Sequence, residues 1–288
     1  MVADWHALTT DLEHTDQIEP NTFEMVIDWL AAGIDPEKSP VFIQSRVKEH
    51  AELHLLFSML VTVSRLERNP TVKEQVRDLA LEENVSYGHL GYPVLQAADI
   101  LLYRANLVPV GEDQVPHVEL TREIARRFNG LYGEVFPVPD AKLTHFPRLP
   151  GLDGRRMSKS LGNTILLADS EAEIEAKVKT AYTDPKKIRK DDPGNPDGCV
   201  VFAYHRAFHA AGAAQIERDC RAGALGCVAD KRNLAAILAK SLEPIRERRR
   251  EFEAKPELVR EALRSGEERA RAMAVETMRQ VREAMKVG

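Results

Sequence analysis

The stretch Arg155-Arg156-Met157-Ser158-Lys159-Ser160-Leu161-Gly162-Asn163 gathers three cationic side chains, two serine hydroxyls and a glycine. Pro150-Gly151 and the turn-forming pair Asp153-Gly154 precede it, so the composition predicts a loop rather than a helix. A lysine ammonium on such a loop is a mobile point charge suited to phosphate oxygens, and serine hydroxyls add donors. A solvated basic turn would use the same residue types. The second chemical feature is Asp99, which stands in an otherwise apolar stretch from Tyr92 to Tyr103 with Ala97 and Ala98 beside it. A carboxylate there must be paired or hydrogen-bonded. It is either a structural aspartate satisfied by backbone or an acceptor at the bottom of an apolar pocket, waiting for one N–H or O–H. The third is Gly111-Glu112-Asp113-Gln114, which follows the short apolar run Leu107 to Val110. In an open α/β sheet, ligands bind beyond the carboxyl ends of strands, where glycine lets backbone approach closely. Asp113 and Gln114 also suit an ordinary helix start.

Elements must hold these residues. Met1-Val2-Ala3-Asp4 reads as the end of a strand, and Pro40 to Ile43 as a short apolar strand. Apolar spacing predicts helices over Phe23–Ala32, with Gly33 as its stop, over Glu49–Val63 and over Gln114–Phe128. Strands alternating with helices imply βαβ units and a parallel sheet. Beyond Ser160 the pattern changes. A helix is expected over Glu171–Tyr182 and a solvated loop over Asp184–Asp197. Helices then follow over Val200–Ala211, Ala214–Ala222, Lys231–Glu253 and Glu257–Lys286. The expected organisation is an α/β domain over 1–168, ending with the Met-Ser-Lys-Ser loop, and an all-helical domain over 169–288.

Composition narrows the class. At 43% hydrophobic and 30% charged residues the chain is of ordinary globular type. Three cysteines, an odd number, argue against a disulfide scaffold and for a reducing, cytoplasmic setting. No apolar run reaches membrane-spanning length. The net charge of −5 is no global signature of nucleic-acid binding. From Asp230 onward, however, 15 Lys and Arg stand against 11 Asp and Glu, so the C-terminal part is basic and the rest acidic. Helix 49–63 carries Leu53, Leu55, Leu56, Met59, Leu60 and Val63, more apolar residues than one buried face needs, which predicts a homodimer.

Met157-Ser158-Lys159-Ser160 resembles the KMSKS signature of class I aminoacyl-tRNA synthetases, with Arg156 in place of the first lysine. Taken in order, Val2 to Thr9, Tyr92 to Tyr103, Leu107 to Gln114 and this loop are similar to the tryptophanyl-tRNA synthetases over nearly the whole chain. The resemblance implies a Rossmann-type parallel-sheet catalytic domain, a helical domain that contacts the tRNA anticodon, and activation of tryptophan by ATP with Mg2+ before transfer to tRNA(Trp). It implies that Lys159, Arg156 and Ser158 form the catalytic set and that Gly111, Asp113, Met157 and Lys159 bind ATP. Asp99 would accept the indole N–H, the one polar handle on that side chain. Tyr92 and Gln114 would hold the α-amino group. His6, Val108 and Val110 would line the pocket, with Gln96 where the family usually has Met. Arg248, Arg249 and Arg250 would contact tRNA, although Glu243, Glu247, Glu251 and Glu253 interleave with them and fit a solvated helix of i,i+4 pairs equally well. Tyrosyl-tRNA synthetase shares the implied fold, and a non-catalytic tRNA- or partner-binding relative is the reading from another class.

Two departures qualify the resemblance. The family opens with a strand and a His-x-Gly-His signature at a helix N-terminus. The sequence shows neither, and Gly88-His89-Leu90-Gly91 falls at the wrong place to replace it. The expectation is a truncated record of an enzyme, with poor tryptophan activation by the chain as written. Some bacterial members bind an iron–sulfur cluster through four cysteines ending in Cys-x-x-Cys. Here the corresponding residues are Cys199, Cys220, Cys227 and Asp230, and the expectation is three reduced thiols without a cluster.

Overall fold

The structure is a computed structural model that describes residues 1–9, 12–78, 81, 84–143, 149–158 and 161–288. Two compact units emerge. The first comprises Met1–Trp29, Ile34–Pro147 and Lys255–Gly288, and the second Leu30–Gly33 and Arg148–Ala254. These units differ from the 168/169 division drawn from the sequence: the second takes in the signature loop from Arg148 on, and the last helix belongs to the first.

In the first unit, Val2 and Ile43 form a parallel bridge, with Val2 N–H donating to Phe42 O at 2.7 Å and Gln44 N–H to Val2 O at 2.9 Å. The strand end expected at Val2 is therefore real, though it is one bridge long. Helix α1 (Asp4–Ala7) follows, then α2 (Ile18–Ala31), whose last two residues belong to the second unit, α3 (Glu49–Ser58), α4 (Val63–Glu67), α5 (Pro70–Asp78) and α6 (Tyr87–Leu101). The single helix expected over 49–63 is broken. The N–H groups of Met59 and Leu60 turn to Leu56 O and Phe57 O, three residues back, which tightens the chain and carries Leu60 into the core. Ser86 caps α6 by accepting the His89 N–H at 3.0 Å.

Strand β1 (Leu107–Val110) then leads through α7 (Val115–Tyr132) to β2 (Asp140–Leu143). The strands pair in parallel, Leu107 opposite Asp140 and Val110 opposite Leu143. Parallel strands need a crossover of this length, and α7 supplies it. The α/β, Rossmann-type reading holds in this unit, followed by an all-helical run from Glu171 on. Gly133, at φ +101°, ends α7 in a conformation that glycine adopts without strain. The Asn129 side chain then takes the N–H groups of Val135 and Phe136 and donates to Phe136 O. Phe136 is thereby aimed at Phe57 and Phe128, with ring centroids 5.4 and 4.9 Å away in edge-to-face contact.

The second unit holds α8 (Glu171–Lys179), α9 (Val200–Phe208), α10 (Ala210–Arg221) and α11 (Cys227–Ala254). Ser170 and Glu173 form a reciprocal capping box at the start of α8. Ile174 and Val178 of α8 pack with Leu234, Leu238 and Leu242 of α11, and Leu152 joins them from the loop that precedes α8.

The chain then returns to the first unit. Helix α12 (Pro256–Met285) closes that unit's core with Ala270, Ala274, Met278 and Val281, spaced to share one face. At Gly266 a Cβ would stand 2.0 Å from Val41 O, so the helix lies on bare backbone there. No described helix is long and apolar enough to cross a membrane.

Two helical glycines, Gly266 and Gly130, should respond with opposite signs. Gly266→Ala forces Val41 and α12 apart and should cost about 1–3 kcal/mol. Gly130→Ala on α7, where an added methyl would have nothing within 4 Å, should be neutral or stabilise by about 0.5–1 kcal/mol. Urea midpoints of the two variants against the parent check both signs.

Candidate active site

Tyr92, Gln96 and Asp99 fall at helical spacing on one face of α6 and open onto a cavity of about 500 Å³ in the first unit. His6 from α1, Val108 from β1 and Gln114 after the strand complete its wall. Val110 shares the Val108 side of β1, two residues on, but is not among the lining residues.

Asp99 is the centre of this site. Its side chain is 8% exposed. His6 Nε2 lies 2.9 Å from Oδ2, while Gln44 Nε2 donates to Oδ1 at 2.8 Å and His50 Nδ1 lies 2.7 Å from the same oxygen. A carboxylate only accepts, so both facing imidazole nitrogens carry hydrogen. Burial alone would raise the Asp99 carboxyl. The hydrogen bonds from His50 and His6 outweigh it and hold the group below the usual carboxylate range. His50 Nε2 continues to the Tyr103 hydroxyl at 2.8 Å, whose proton burial retains. Asp99 is thus neither bound to backbone alone nor unpartnered, and the donors around it come from three other segments.

A second chain of hydrogen bonds runs to Tyr92. Thr71 N–H donates to Asn69 Oδ1 at 3.0 Å, which turns the Asn69 amide nitrogen toward His117 Nδ1 at 3.4 Å. Nδ1 therefore accepts, and His117 Nε2 donates to the Tyr92 hydroxyl at 2.9 Å. Burial pushes His117 down to about 4, so the imidazole is neutral at pH 7. Gln114 is placed between Gln96, 3.4 Å from its Oε1, and the Asp113 carboxylate, which accepts its Nε2 at 3.0 Å. Gly111 precedes this turn and accepts the Gln114 N–H at 3.0 Å. Gln44, His50, Asn69, Tyr103 and His117 were not singled out from the sequence. Nothing local marks them, because the side chains they meet in the site lie tens of residues away in sequence.

The basic loop belongs to the second unit. Pro150 and Arg156 form an antiparallel bridge, Gly151 N–H donates to Arg155 O at 2.8 Å, and Gly154 turns the chain at φ +84°. Arg156 is exposed, Met157 packs against the α8–α11 core, and Ser158 N–H donates to Asn163 Oδ1 at 2.8 Å. Lys159 lies outside the described residues.

The three arginines expected to meet tRNA have partners within the unit. Arg248 donates to Ala31 O, Arg249 is buried and paired with Glu253 at 3.0 Å, and Arg250 reaches Glu243 at 3.1 Å. Arg249 is thereby committed to the unit's own packing, while Arg248 and Arg250 remain at the surface. Cys199, Cys220 and Cys227 are free and half-buried. Burial pushes the Cys199 and Cys220 thiols up, away from the thiolate form that iron needs. Asp230, at the position of the fourth ligand, is instead hydrogen-bonded to His205 Nε2 at 3.0 Å. Among the described residues no three His, Cys, Asp or Glu side chains are placed to hold a metal.

The buried His117 carries a pH signature. Its folded value of about 4 lies below the ordinary 6.5, so the unfolded chain binds more protons between these values and stability rises with pH across that window. Acidification from about pH 6.5 to pH 4 should remove up to about 3 kcal/mol through this residue. His117→Gln should flatten that part of a denaturation-versus-pH curve. A variant curve that keeps the full slope would assign the effect to other groups.

Comparison with known proteins gives the family. The family model described as tRNA synthetases class I (W and Y) matches residues 1–243. The chain is 51% identical to the tryptophan–tRNA ligase of Thermotoga maritima, covering 99% of this chain and 87% of that protein. It is 45% identical to the tryptophan–tRNA ligase of Aquifex aeolicus, covering 99% and 90%. Among solved structures, tryptophanyl-tRNA synthetase from Campylobacter jejuni, complexed with ADP and tryptophan, superposes with a TM-score of 0.84 at 33% identity, covering 99% of this chain and 88% of that one. The resemblance first carried by the signature loop and the Asp99 helix extends through the fold, and the chain belongs to the class I tRNA synthetases of the W and Y family.

Proposed function

We propose that this chain is a tryptophan–tRNA ligase, which activates tryptophan with ATP and transfers it to tRNA(Trp). The observation that carries the choice of amino acid is Asp99, an ionised carboxylate at the wall of a largely apolar cavity. An indole offers one N–H and a large apolar body, and the cavity matches both. Asp99 Oδ2, with His6 on one side, has a lone pair left for that N–H. A pocket whose acceptor is satisfied only by the right ligand discriminates strongly against ligands lacking the donor. The Tyr92 hydroxyl and the Gln114 amide are at hand for the α-amino and carboxylate groups.

In the reaction the tryptophan carboxylate oxygen attacks the α-phosphorus of ATP. The bond to the bridging oxygen breaks and pyrophosphate leaves with its electron pair. No protein nucleophile is required, so catalysis is positioning and charge stabilisation. Arg156, Ser158 and Lys159 are assigned to the phosphates, Met157 to the adenine side, and Gly111 and Asp113 to the ribose. Mg2+ is assigned to the nucleotide's phosphates, where it neutralises developing charge. Arg248 and Arg250 are assigned to the tRNA, within an anticodon-binding role for the helices from residue 169 on. Three free cysteines fit the reducing cytoplasm.

A homodimer is part of the same proposal, with a second copy of this chain as the partner. Leu53 and Leu60 point into the core, but Leu55, Met59 and Val63 are 56%, 68% and 59% exposed. Met59 and Val63 flank in sequence Leu60, Val61 and Thr62, which line a groove of about 510 Å³ with Leu120, Ile124, Arg65, Arg68, Arg126 and Arg127. An apolar patch of this kind next to a groove marks an interface.

Three measurements test these assignments. ATP–pyrophosphate exchange should depend on tryptophan and be insensitive to tyrosine. Asp99→Asn should weaken tryptophan binding in calorimetry by about 1.5–3 kcal/mol, and an unchanged affinity would remove Asp99 from the specificity role. Light scattering at micromolar concentration should give twice the chain mass, and Met59→Lys should shift it toward the monomer. A parent protein that is already monomeric would end the dimer proposal.

A further inference from the structure

The signature loop contains a buried side chain to which no role has been given. Asn163 is 5% exposed and follows the cationic residues. Its amide nitrogen donates both hydrogens, to Asp153 Oδ1 at 2.8 Å and to Arg156 O at 3.0 Å. Its Oδ1 accepts the Ser158 N–H at 2.8 Å, and its backbone carbonyl accepts the Leu152 N–H at 2.9 Å. One carboxamide therefore ties the chain before the cations to the chain within them. Only an amide offers two donors and an acceptor in that fork. The fit is close: a Cβ at Gly151 would stand 2.2 Å from the Asn163 nitrogen, so position 151 has room for no side chain while Asn163 is in place. Asp153 in turn takes the Arg155 N–H at 3.0 Å and Arg155 Nε at 2.7 Å. The amide of Asn163 and these bonds hold the Asp153 carboxyl down to about 2. Pro150 O receives the Tyr204 hydroxyl at 3.1 Å, and Leu152 O the Tyr182 N–H at 2.7 Å, which anchors the base of the loop to the helical core.

We infer that Asn163 is a positioning residue for the proposed reaction: its carboxamide clasps the loop and fixes how Arg156, Met157 and Ser158 are presented to the nucleotide. The inference rests on the reading of this loop as the ATP-binding element. The action assigned to Asn163 is through the chain it holds. It sets the Arg156 and Ser158 backbone directly, and a displacement of about 1 Å at such a point can cost a large factor in rate.

The test uses the full chain with Asn163→Ala and Asn163→Asp. In Asn163→Ala, hydrogen exchange at the Ser158 amide should quicken at least about tenfold. The kcat/KM for ATP in pyrophosphate exchange should fall about 10–100-fold, while tryptophan affinity by calorimetry stays at the parent value and shows that the protein is folded. Asn163→Asp distinguishes the clasp from simple packing. At about pH 8 the new carboxylate faces Asp153 and the Arg156 carbonyl, and the variant should be as impaired as Asn163→Ala. Arg155 keeps Asp153 ionised, so on acidification to about pH 6 the shared proton settles on the new carboxyl, which can again donate to Asp153. With one of the two donors restored, ATP kinetics relative to the parent should then recover in part in Asn163→Asp and stay depressed in Asn163→Ala. Unchanged Ser158 exchange with unchanged ATP kinetics in Asn163→Ala overturns the inference, as does an Asn163→Asp pH profile that parallels that of Asn163→Ala. A parent protein without tryptophan-dependent exchange would count against the ligase reading instead, and Ser158 amide protection would still decide whether Asn163 is the clasp.

Discussion

One ionised carboxylate in a place with little water organises the first unit. Burial works against the charge on Asp99, and only converging donors keep it. Those donors are His6 on α1, Gln44 beside the Val2–Ile43 bridge and His50 on α3, while Asp99 itself sits on α6. Four separated segments are thus held to one pair of oxygens. Removing a donor leaves charge without a match, and removing the carboxylate leaves donors without an acceptor. The cavity wall and the specificity element are therefore the same construction. The Tyr92–His117–Asn69 chain repeats the device with neutral groups, where each hydrogen bond fixes the direction of the next.

The loop of the second unit obeys the same logic on a smaller scale. Flanking backbone that would otherwise be free to vary is gathered on one buried amide, and Gly151 leaves the space for it. In both places the sequence spends polar side chains inside the protein to hold other polar side chains at its surface. Such an arrangement suits a reaction in which the protein contributes geometry and charge rather than a covalent partner.

Much of this was legible in the sequence, for physical reasons that differ by residue. Asp99 stood out because a lone carboxylate in an apolar helical face demands explanation. The signature loop stood out because turn residues bracket cations. The helical half was readable from 3.6-residue periodicity, though α11 begins at Cys227 rather than Lys231. What could not be read is pairing at long range. Gln44 and His50 meet Asp99 across 55 and 49 residues, and nothing local marks them. Strand β2 was missed because Asp140-Ala141-Lys142-Leu143, although it alternates, is only four residues long and has no β-branched or aromatic residue, and its place comes from pairing with β1. The arginines of α11 show the same limit, since nothing in the cationic run marks that Arg249 is buried in the fold while Arg248 and Arg250 stay at the surface.

Helix α12 has a consequence for how the protein is made. Its residues Ala270 to Val281 belong to the same core as Leu53 and Phe57, and Arg282 grips Glu52 across 230 positions of sequence. During synthesis the segments of the first unit emerge early, yet the piece that seals their apolar surface comes last. The nascent chain must carry an unsealed core while the whole second unit is translated, an interval in which exposed apolar surface invites association. Contacts so distant along the chain also make closure slow once the helix arrives. The second unit, apart from the short Leu30–Gly33 segment, is continuous from Arg148 to Ala254 and faces no such delay. Its helices can assemble while the first unit still waits for its lid, so the ribosome presents the two halves in one order and the chain completes them in the other.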